Sequence, residues 1–127
     1  MIEPAQKGDA FGRLVATSST AGLHGMAQAE HYAASKAAVD TVVRSLAVEL
    51  AGYRITVNSV LPGQIATEIN QDRRANLKFV EQSIARIPMR RFGEPEEFAG
   101  IAVYLMSKAS SYHTADTIVI DGGRTAA

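Results

Sequence analysis

The chain has 127 residues, of which 46% are hydrophobic and 20% charged, and its 13 basic residues balance 13 acidic ones. A chain of this length forms one modest domain with one core. Its zero net charge argues against a surface for nucleic acid or anionic lipid. Because it has no cysteine, disulfides and thiolate metal sites are excluded. We expect one cytoplasmic domain over residues 1–127, without a metal site or a membrane-spanning segment.

The first half of the chain predicts a strand, a loop and a long helix. Residues 1–12 show no clear periodicity and fit the tail of a helix or a loop. Residues 13–17 form a short apolar run that ends in a Ser/Thr cluster, which favours a buried strand. A helix is predicted from His31, with Gly52 as its C-terminal cap. Its apolar residues recur at helical spacing: Val39, Val43, Leu46 and Leu50.

The second half alternates strand and helix in the same way. Residues 54–61 have apolar or β-branched side chains at both odd and even positions, which predicts a strand covered on both faces. One or two short helices are predicted within residues 72–87, and another helix begins at Pro95, followed by a final strand at residues 117–120. The apolar face of the Pro95 helix consists of Phe98, Ile101, Ala102 and Leu105. This alternation indicates an α/β fold with a parallel sheet and right-handed crossovers.

Tyr32 and Lys36 carry the main chemical signal. Their i, i+4 spacing places the phenol and the ammonium on one face of the predicted helix. A free phenol has a pKa near ~10 and is a poor base at neutral pH, whereas a neighbouring cation stabilises the phenolate. Such a pair can therefore act as a tuned acid/base. By itself the spacing also occurs by chance in many helices.

Ser19 follows the first predicted strand and lies near the predicted start of the helix. Strand ends and helix starts of α/β units meet at the carboxyl edge of the sheet, where ligands bind. A serine hydroxyl there can hydrogen-bond the substrate oxygen that Tyr32 protonates. This context makes Ser19 the third candidate catalytic residue.

These residues and their order resemble the classical short-chain dehydrogenases/reductases, from Gly12 to Gly123. The matching segments are residues 18–22, 32–36 and 57–63, Thr67, and residues 91–97 and 121–123. The resemblance implies a Rossmann-type doubly wound parallel sheet, of which this chain would supply the last three strands and their helices. It also implies hydride transfer between a carbonyl and an alcohol with NAD or NADP as cofactor.

The resemblance also assigns roles to individual residues. Tyr32 would be the acid/base, Ser19 would orient the substrate carbonyl, and Lys36 would stabilise the phenolate and hold the ribose hydroxyls. Residues 66–90 would form a mobile substrate lid. The implied cofactor-binding residues are Tyr32, Lys36, Pro62, Gly63, Ile65 and Thr67.

The glycine-rich turn Thr-Gly-x-x-x-Gly-x-Gly, with which the family binds the dinucleotide phosphates, has no match in the sequence. We therefore expect the chain to be the C-terminal, catalytic part of such an enzyme. The segment that chooses NAD or NADP is then absent. The first strand would have an unpaired edge, and the helix that carries Val39, Val43, Leu46 and Leu50, which resembles the family's subunit-packing helix, would expose further apolar surface.

Three functions remain open at this stage. The first is an NAD(P)-dependent oxidoreductase for a small carbonyl or alcohol, working as a homo-oligomer (dimer or tetramer) or paired with a complementary N-terminal segment. The second is an inactive oligomerising or scaffold fragment. The third is a family relative with Ser/Tyr chemistry but no net redox, such as a dehalogenase or an isomerase.

Overall fold

A computed structural model describes residues 1–8 and 11–127 of the chain. Three strands and five α-helices are found in these residues. The strands are β1 (Gly12–Thr17), β2 (Ile55–Pro62) and β3 (Thr117–Ile120). The helices are α1 (Ile2–Gln6), α2 (Glu30–Leu50), α3 (Gln71–Arg74), α4 (Leu77–Ile84) and α5 (Ala99–Met106).

The three strands form one parallel sheet in the order β1-β2-β3. The register pairs Gly12 with Ile55 and Ser59 with Thr117. Seven of the eight residues of β2 are buried, as expected for a central strand covered on both faces. The predicted α/β class is confirmed. Within the described residues the outer edge of β1 has no neighbouring strand.

The core lies between α2 and the sheet. Val43, Ala47 and Leu50 of α2 pack against Ile55 and Val57 of β2. The helical periodicity thus turns the stripe of residues 39–50 toward the sheet. Partly buried residues that pack against this core include Leu14, Ala16, Val39 and Leu46. As expected, α2 also exposes apolar side chains, the largest aliphatic ones being Val42 and Val48.

The end of α2 differs from the predicted glycine cap. After Leu50 the chain continues into a 3₁₀ turn, Ala51–Tyr53, and the left-handed residue that ends it is Arg54, with φ 57°. Gly52 lies inside that turn and is not among the glycines with positive φ. The prediction for Gly52 is wrong because the helix tightens into another turn before it stops.

The remaining helices follow the predicted positions with shorter bounds. The region of residues 72–87 splits into α3 and α4, because Asn76 leaves the helical conformation and accepts a hydrogen bond from Phe79 N as the N-cap of α4. Pro95 begins a 3₁₀ turn, Pro95–Phe98, that leads into α5. Ala102 was predicted on the buried face of that helix but is exposed.

None of the helices in the described residues is both long enough and apolar enough to span a membrane.

Candidate active site

The segment that follows β1 holds α2 at Lys36. The Lys36 ammonium donates a hydrogen bond to the Thr17 carbonyl oxygen at 3.1 Å. The Ser18 hydroxyl donates to the backbone carbonyl of Lys36, also at 3.1 Å. A Cβ on Gly22 would lie 2.9 Å from the backbone nitrogen of Ala37, so glycine is needed for this approach. The contacts made by Thr17, Ser18 and Gly22 thus fix one turn of α2 against the end of β1.

Ser18 and Ser19 have different surroundings although they are adjacent. Ser18 is buried, and its hydroxyl is used by α2. Ser19 is the N-cap of the 3₁₀ turn Thr20–Gly22, and its Oγ accepts a hydrogen bond from Ala21 N at 3.1 Å. A hydroxyl that accepts in this way still has its own hydrogen to donate. Ser19, which is only half-buried, can therefore donate to a ligand.

Tyr32 lies one turn before Lys36 on α2 and is 41% exposed. The Lys36 ammonium lies 5.8 Å from the centre of the Tyr32 ring. The expected placement of the phenol and the cation on one helix face is confirmed. Ser35, between them, is exposed and donates its hydroxyl to the Tyr32 carbonyl at 2.7 Å.

Pro62 is the last residue of β2 and Gly63 follows it, next to the loop that carries Ser19. The Thr20 hydroxyl donates to the Pro62 carbonyl at 3.4 Å. Gly63 N donates to the carbonyl of Ile120 at the end of β3. A Cβ on Gly63 would lie 2.6 Å from the Asp121 Cβ, so only glycine fits between the two strand ends. The carboxyl ends of all three strands thus meet here, as the ligand edge of an α/β sheet requires.

Asp121 organises the turn after β3. Its carboxylate accepts hydrogen bonds from Gly123 N at 2.8 Å and Thr125 N at 2.7 Å. Burial of the carboxyl favours its neutral form, but the hydrogen bonds from Thr125, Gly123 and Arg124 outweigh it and hold the pKa of Asp121 below its ordinary value. The family-like Asp-Gly-Gly segment is therefore a structural turn beside Gly63.

Ile65 lies on the loop after β2 and pairs with a distant loop. Ile65 and Gly93 form an isolated parallel bridge, in which Ala66 N donates to the Gly93 carbonyl and Gly93 N to the Gln64 carbonyl. Close to this bridge, the Arg91 guanidinium binds the Glu97 carboxylate through two hydrogen bonds of 2.6 and 2.7 Å. The hydrogen bonds from Arg91 and from the Glu94 backbone lower the pKa of Glu97 to about 2.

Thr67 begins the 3₁₀ turn Glu68–Asn70. The amide of Asn70 contacts both sides of this bend: its Oδ1 accepts from Thr67 N, and its Nδ2 donates to the Ile65 carbonyl. No hydrogen bond in the described part of the chain joins Ile65 or Thr67 to Ser19, Tyr32 or Lys36. The contacts of Ser18 and Asn70 were not predicted from the sequence. The Thr-x-x-Asn spacing, which resembles a capping box, is the signal that could have identified Asn70.

Comparison with known proteins gives this arrangement its family. The family model described as enoyl-(acyl carrier protein) reductase matches residues 1–125. A solved short-chain type dehydrogenase/reductase from Mycobacterium marinum superimposes with a TM-score of 0.85 at 42% sequence identity, over 97% of this chain and 48% of that one. The chain belongs to the short-chain dehydrogenase/reductase family.

Curated members of this family show the same partial match. L-Rhamnose 1-dehydrogenase (NAD(P)(+)) from Azotobacter vinelandii is 39% identical over 112 residues, which are 88% of this chain and 44% of that protein. The 3-oxoacyl-(acyl-carrier-protein) reductase FabG from Thermotoga maritima is 42% identical over 123 residues, which are 97% of this chain and 49% of that protein. The chain thus spans about half the length of the curated relatives it matches.

Proposed function

We propose that the protein is an NAD(P)-dependent oxidoreductase that interconverts a carbonyl and an alcohol, and that residues 1–127 are the C-terminal, catalytic part of its single domain. The observation that carries this proposal is the position of the Lys36 ammonium. It is bound to Thr17 at the end of β1 and lies beside the Tyr32 ring, and Ser19 follows two residues after Thr17. This corner of the sheet offers an acid/base, a cation and a hydroxyl donor together.

In the proposed reaction, the Ser19 hydroxyl donates a hydrogen bond to the substrate oxygen and orients it. Tyr32 gives its proton to that oxygen as the carbonyl is reduced, and takes the proton back when an alcohol is oxidised. The Lys36 ammonium stabilises the phenolate that remains. When bound, the nicotinamide cofactor supplies or accepts the hydride.

The residues present fit such a cofactor. An ammonium has three N–H donors, and the hydrogen bond to Thr17 uses one of those on Lys36, which leaves two for the hydroxyls of a ribose. We assign Pro62, Gly63, Ile65 and Thr67, together with Tyr32 and Lys36, to cofactor binding. As the resemblance to the family implies, the Ile65 backbone and Thr67 are assigned to the nicotinamide end, near its carboxamide. Residues 66–90 are proposed to act as the substrate lid. The name of the rhamnose dehydrogenase relative includes both cofactors, so both NAD and NADP belong in the test.

The test is a pair of tyrosine variants in the full-length gene product. Turnover is followed by nicotinamide absorbance with a panel of sugars, polyols and oxoacyl thioesters. We expect Tyr32→Phe to lower kcat by a factor of about 10² or more while dinucleotide binding is retained, because general acid catalysis contributes about 10²–10⁴-fold. The matched control is Tyr112→Phe, since Tyr112 is fully exposed on the connection between α5 and β3. Normal turnover by Tyr32→Phe would contradict the assignment.

A second candidate, a non-enzymatic oligomerising module, is favoured by one surface. An apolar groove runs between β1 and α2 and is lined by Leu14, Val15, Val39, Val42 and Val57, among others. Free strand edges and apolar grooves promote association. For the enzyme, the same surface supports a homo-oligomer or pairing with a complementary N-terminal segment. Sedimentation with and without NAD(P)H, together with calorimetric binding of the dinucleotide, separates the two functions, because a pure scaffold assembles without binding it.

The cytoplasmic location stays a prediction, to be checked by cell fractionation.

A further inference from the structure

The side chain of Asn70 closes the bend between Ile65 and Thr67. Its Nδ2 donates to the Ile65 carbonyl oxygen at 2.6 Å, and its Oδ1 accepts from the Thr67 backbone N–H at 3.2 Å. Asn70 is half-buried at the end of a 3₁₀ turn that begins just after Thr67. One amide group thus uses its donor and its acceptor on two backbone groups that are two residues apart.

The bond network divides the backbone of this bend between two partners. Gly93 binds the Ala66 N–H and the Gln64 carbonyl, whereas Asn70 binds the Ile65 carbonyl and the Thr67 N–H. The two sets of bonds do not overlap. Loss of the Asn70 amide would therefore release the Ile65 carbonyl and the Thr67 N–H, while the Gly93 pairing still holds the loop to the body of the fold.

We propose that Asn70 is a positioning residue for the nicotinamide end of the cofactor, which it controls through the Ile65 carbonyl and the Thr67 backbone. This rests on the proposed function, in which Ile65 and Thr67 lie at that end. A carbonyl oxygen has two acceptor positions, so the Ile65 carbonyl can be held by Asn70 and still accept from the carboxamide of the cofactor. The adenosine half of the dinucleotide does not depend on Asn70.

The experiment measures ligand binding by calorimetry on the full-length gene product. The probes are NADH and NADPH, and the two corresponding ligands without nicotinamide, ADP-ribose and its 2′-phosphate. Asn70→Ala removes both hydrogen bonds. Asn70→Asp keeps an acceptor for the Thr67 N–H but cannot donate to the Ile65 carbonyl. The matched control is Asn76→Ala, because Asn76 lies in the same lid region and its amide oxygen caps α4 at Phe79.

We expect Asn70→Asp, which loses one hydrogen bond, to bind the preferred reduced dinucleotide about tenfold more weakly. Asn70→Ala, which loses both, should bind it at least as weakly. Affinity for the matching ADP-ribose ligand should change by less than about twofold. Asn76→Ala should leave both affinities unchanged. This contrast between ligands is a readout that a general loss of fold would not produce.

Several results would overturn the inference. The first is unchanged dinucleotide affinity in both Asn70 variants. The second is an equal loss for dinucleotide and ADP-ribose, and the third is the same loss in Asn76→Ala, either of which would assign Asn70 to general lid stability. Unfolding of both Asn70 variants, seen by circular dichroism while Asn76→Ala stays folded, would likewise make it a folding residue. If the unchanged protein binds none of the four ligands, the proposed function fails first and this inference fails with it.

Discussion

Gly22 lies where the loop after β1 passes over α2, and its replacement by alanine perturbs the candidate site at a single point. The added Cβ would lie 2.9 Å from Ala37 N and 3.2 Å from the Lys36 carbonyl carbon. Ordinary contacts between such atoms are about 3.5–4.0 Å, so the loop or the helix has to move by roughly 0.5–1 Å. Both neighbours are helix backbone, which cannot rotate away as a side chain can.

The magnitude follows from two opposing effects. Gly22 is not among the glycines with positive φ, so alanine there gains about 0.4–1 kcal/mol by restricting the unfolded chain. Overpacking against a fixed backbone costs about 1–3 kcal/mol. Overpacking prevails, and we expect a net loss of about 1–2 kcal/mol, or a fall in Tm of roughly 3–8 °C. The same shift moves Ser19 relative to Tyr32, and a 1 Å misplacement of reacting groups costs about 10²-fold in rate.

The assay compares Gly22→Ala with Gly25→Ala in the full-length protein, by thermal unfolding and by turnover of the best substrate in the panel. Gly25 lies in the same loop, and a Cβ there would meet nothing within 4 Å. We expect kcat of Gly22→Ala to fall by about 10–100-fold at temperatures where it remains folded, with Gly25→Ala close to the unchanged protein. A Gly22→Ala protein with unchanged Tm and kcat would refute the reasoning, as would equal losses in both variants.

Three further predictions concern stability. Leu105→Ala should cost about 2–5 kcal/mol in urea unfolding, because Leu105 is 0% exposed, whereas Val103→Ala, at a side chain that is 70% exposed, should stay within about 0.5 kcal/mol. Gln28→Gly should stabilise the protein by up to about 1 kcal/mol, since the exposed Gln28 has φ 66° and relief of left-handed strain of about 1–2 kcal/mol exceeds the entropic cost of glycine; a destabilised variant would contradict this. Because the pKa of Glu97 falls from 4.5 to about 2 on folding, its contribution is complete above pH 4.5 and is lost as the pH falls toward 2. The Tm difference between the unchanged protein and Glu97→Gln should therefore shrink over that interval, and a constant difference would rule out the ion pair as its cause.

The features of the fold that local patterns specify could be predicted from the sequence. The bounds of β3 agree with residues 117–120, whereas β1 differs from its predicted bounds by one residue at its start and β2 by one residue at each end. The left-handed residue after α2 could not be predicted. Nothing in its side chain marks Arg54 for φ 57°, and glycine at position 52 is the better candidate by local preference. The chain passes through Gly52 in a 3₁₀ turn instead, because β2 must begin at Ile55 in register with Gly12.

The candidate site likewise has features that could be predicted from the sequence and features that could not. The placement of Tyr32 and Lys36 on one face of α2 follows from their helical spacing. The pairing of Ile65 with Gly93 does not, because the two loops are far apart in sequence and neither has the alternation of a strand. The Thr-x-x-Asn spacing indicates the contact of Asn70 with Thr67 N, but its contact with the Ile65 carbonyl has no signature in the sequence, because the partner is a backbone group. Backbone-directed contacts of this kind become visible only when the loop conformation is known.

The contacts that position Lys36 and Ser19, two of the proposed catalytic residues, include a set that lies between residues 17 and 37. Thr17 holds the Lys36 ammonium, Ser18 holds the Lys36 carbonyl, and Gly22 allows the loop to touch Ala37. Ser19 is fixed between these points by its own N-cap bond. The contacts that position these proposed catalytic residues are thus local in sequence. The loop proposed to bind the cofactor is held by residues far from this segment: Gly93 and Asn70 form the hydrogen bonds that fix the loop of Ile65. Changes in that loop should therefore alter binding of the dinucleotide before they alter the acid/base pair.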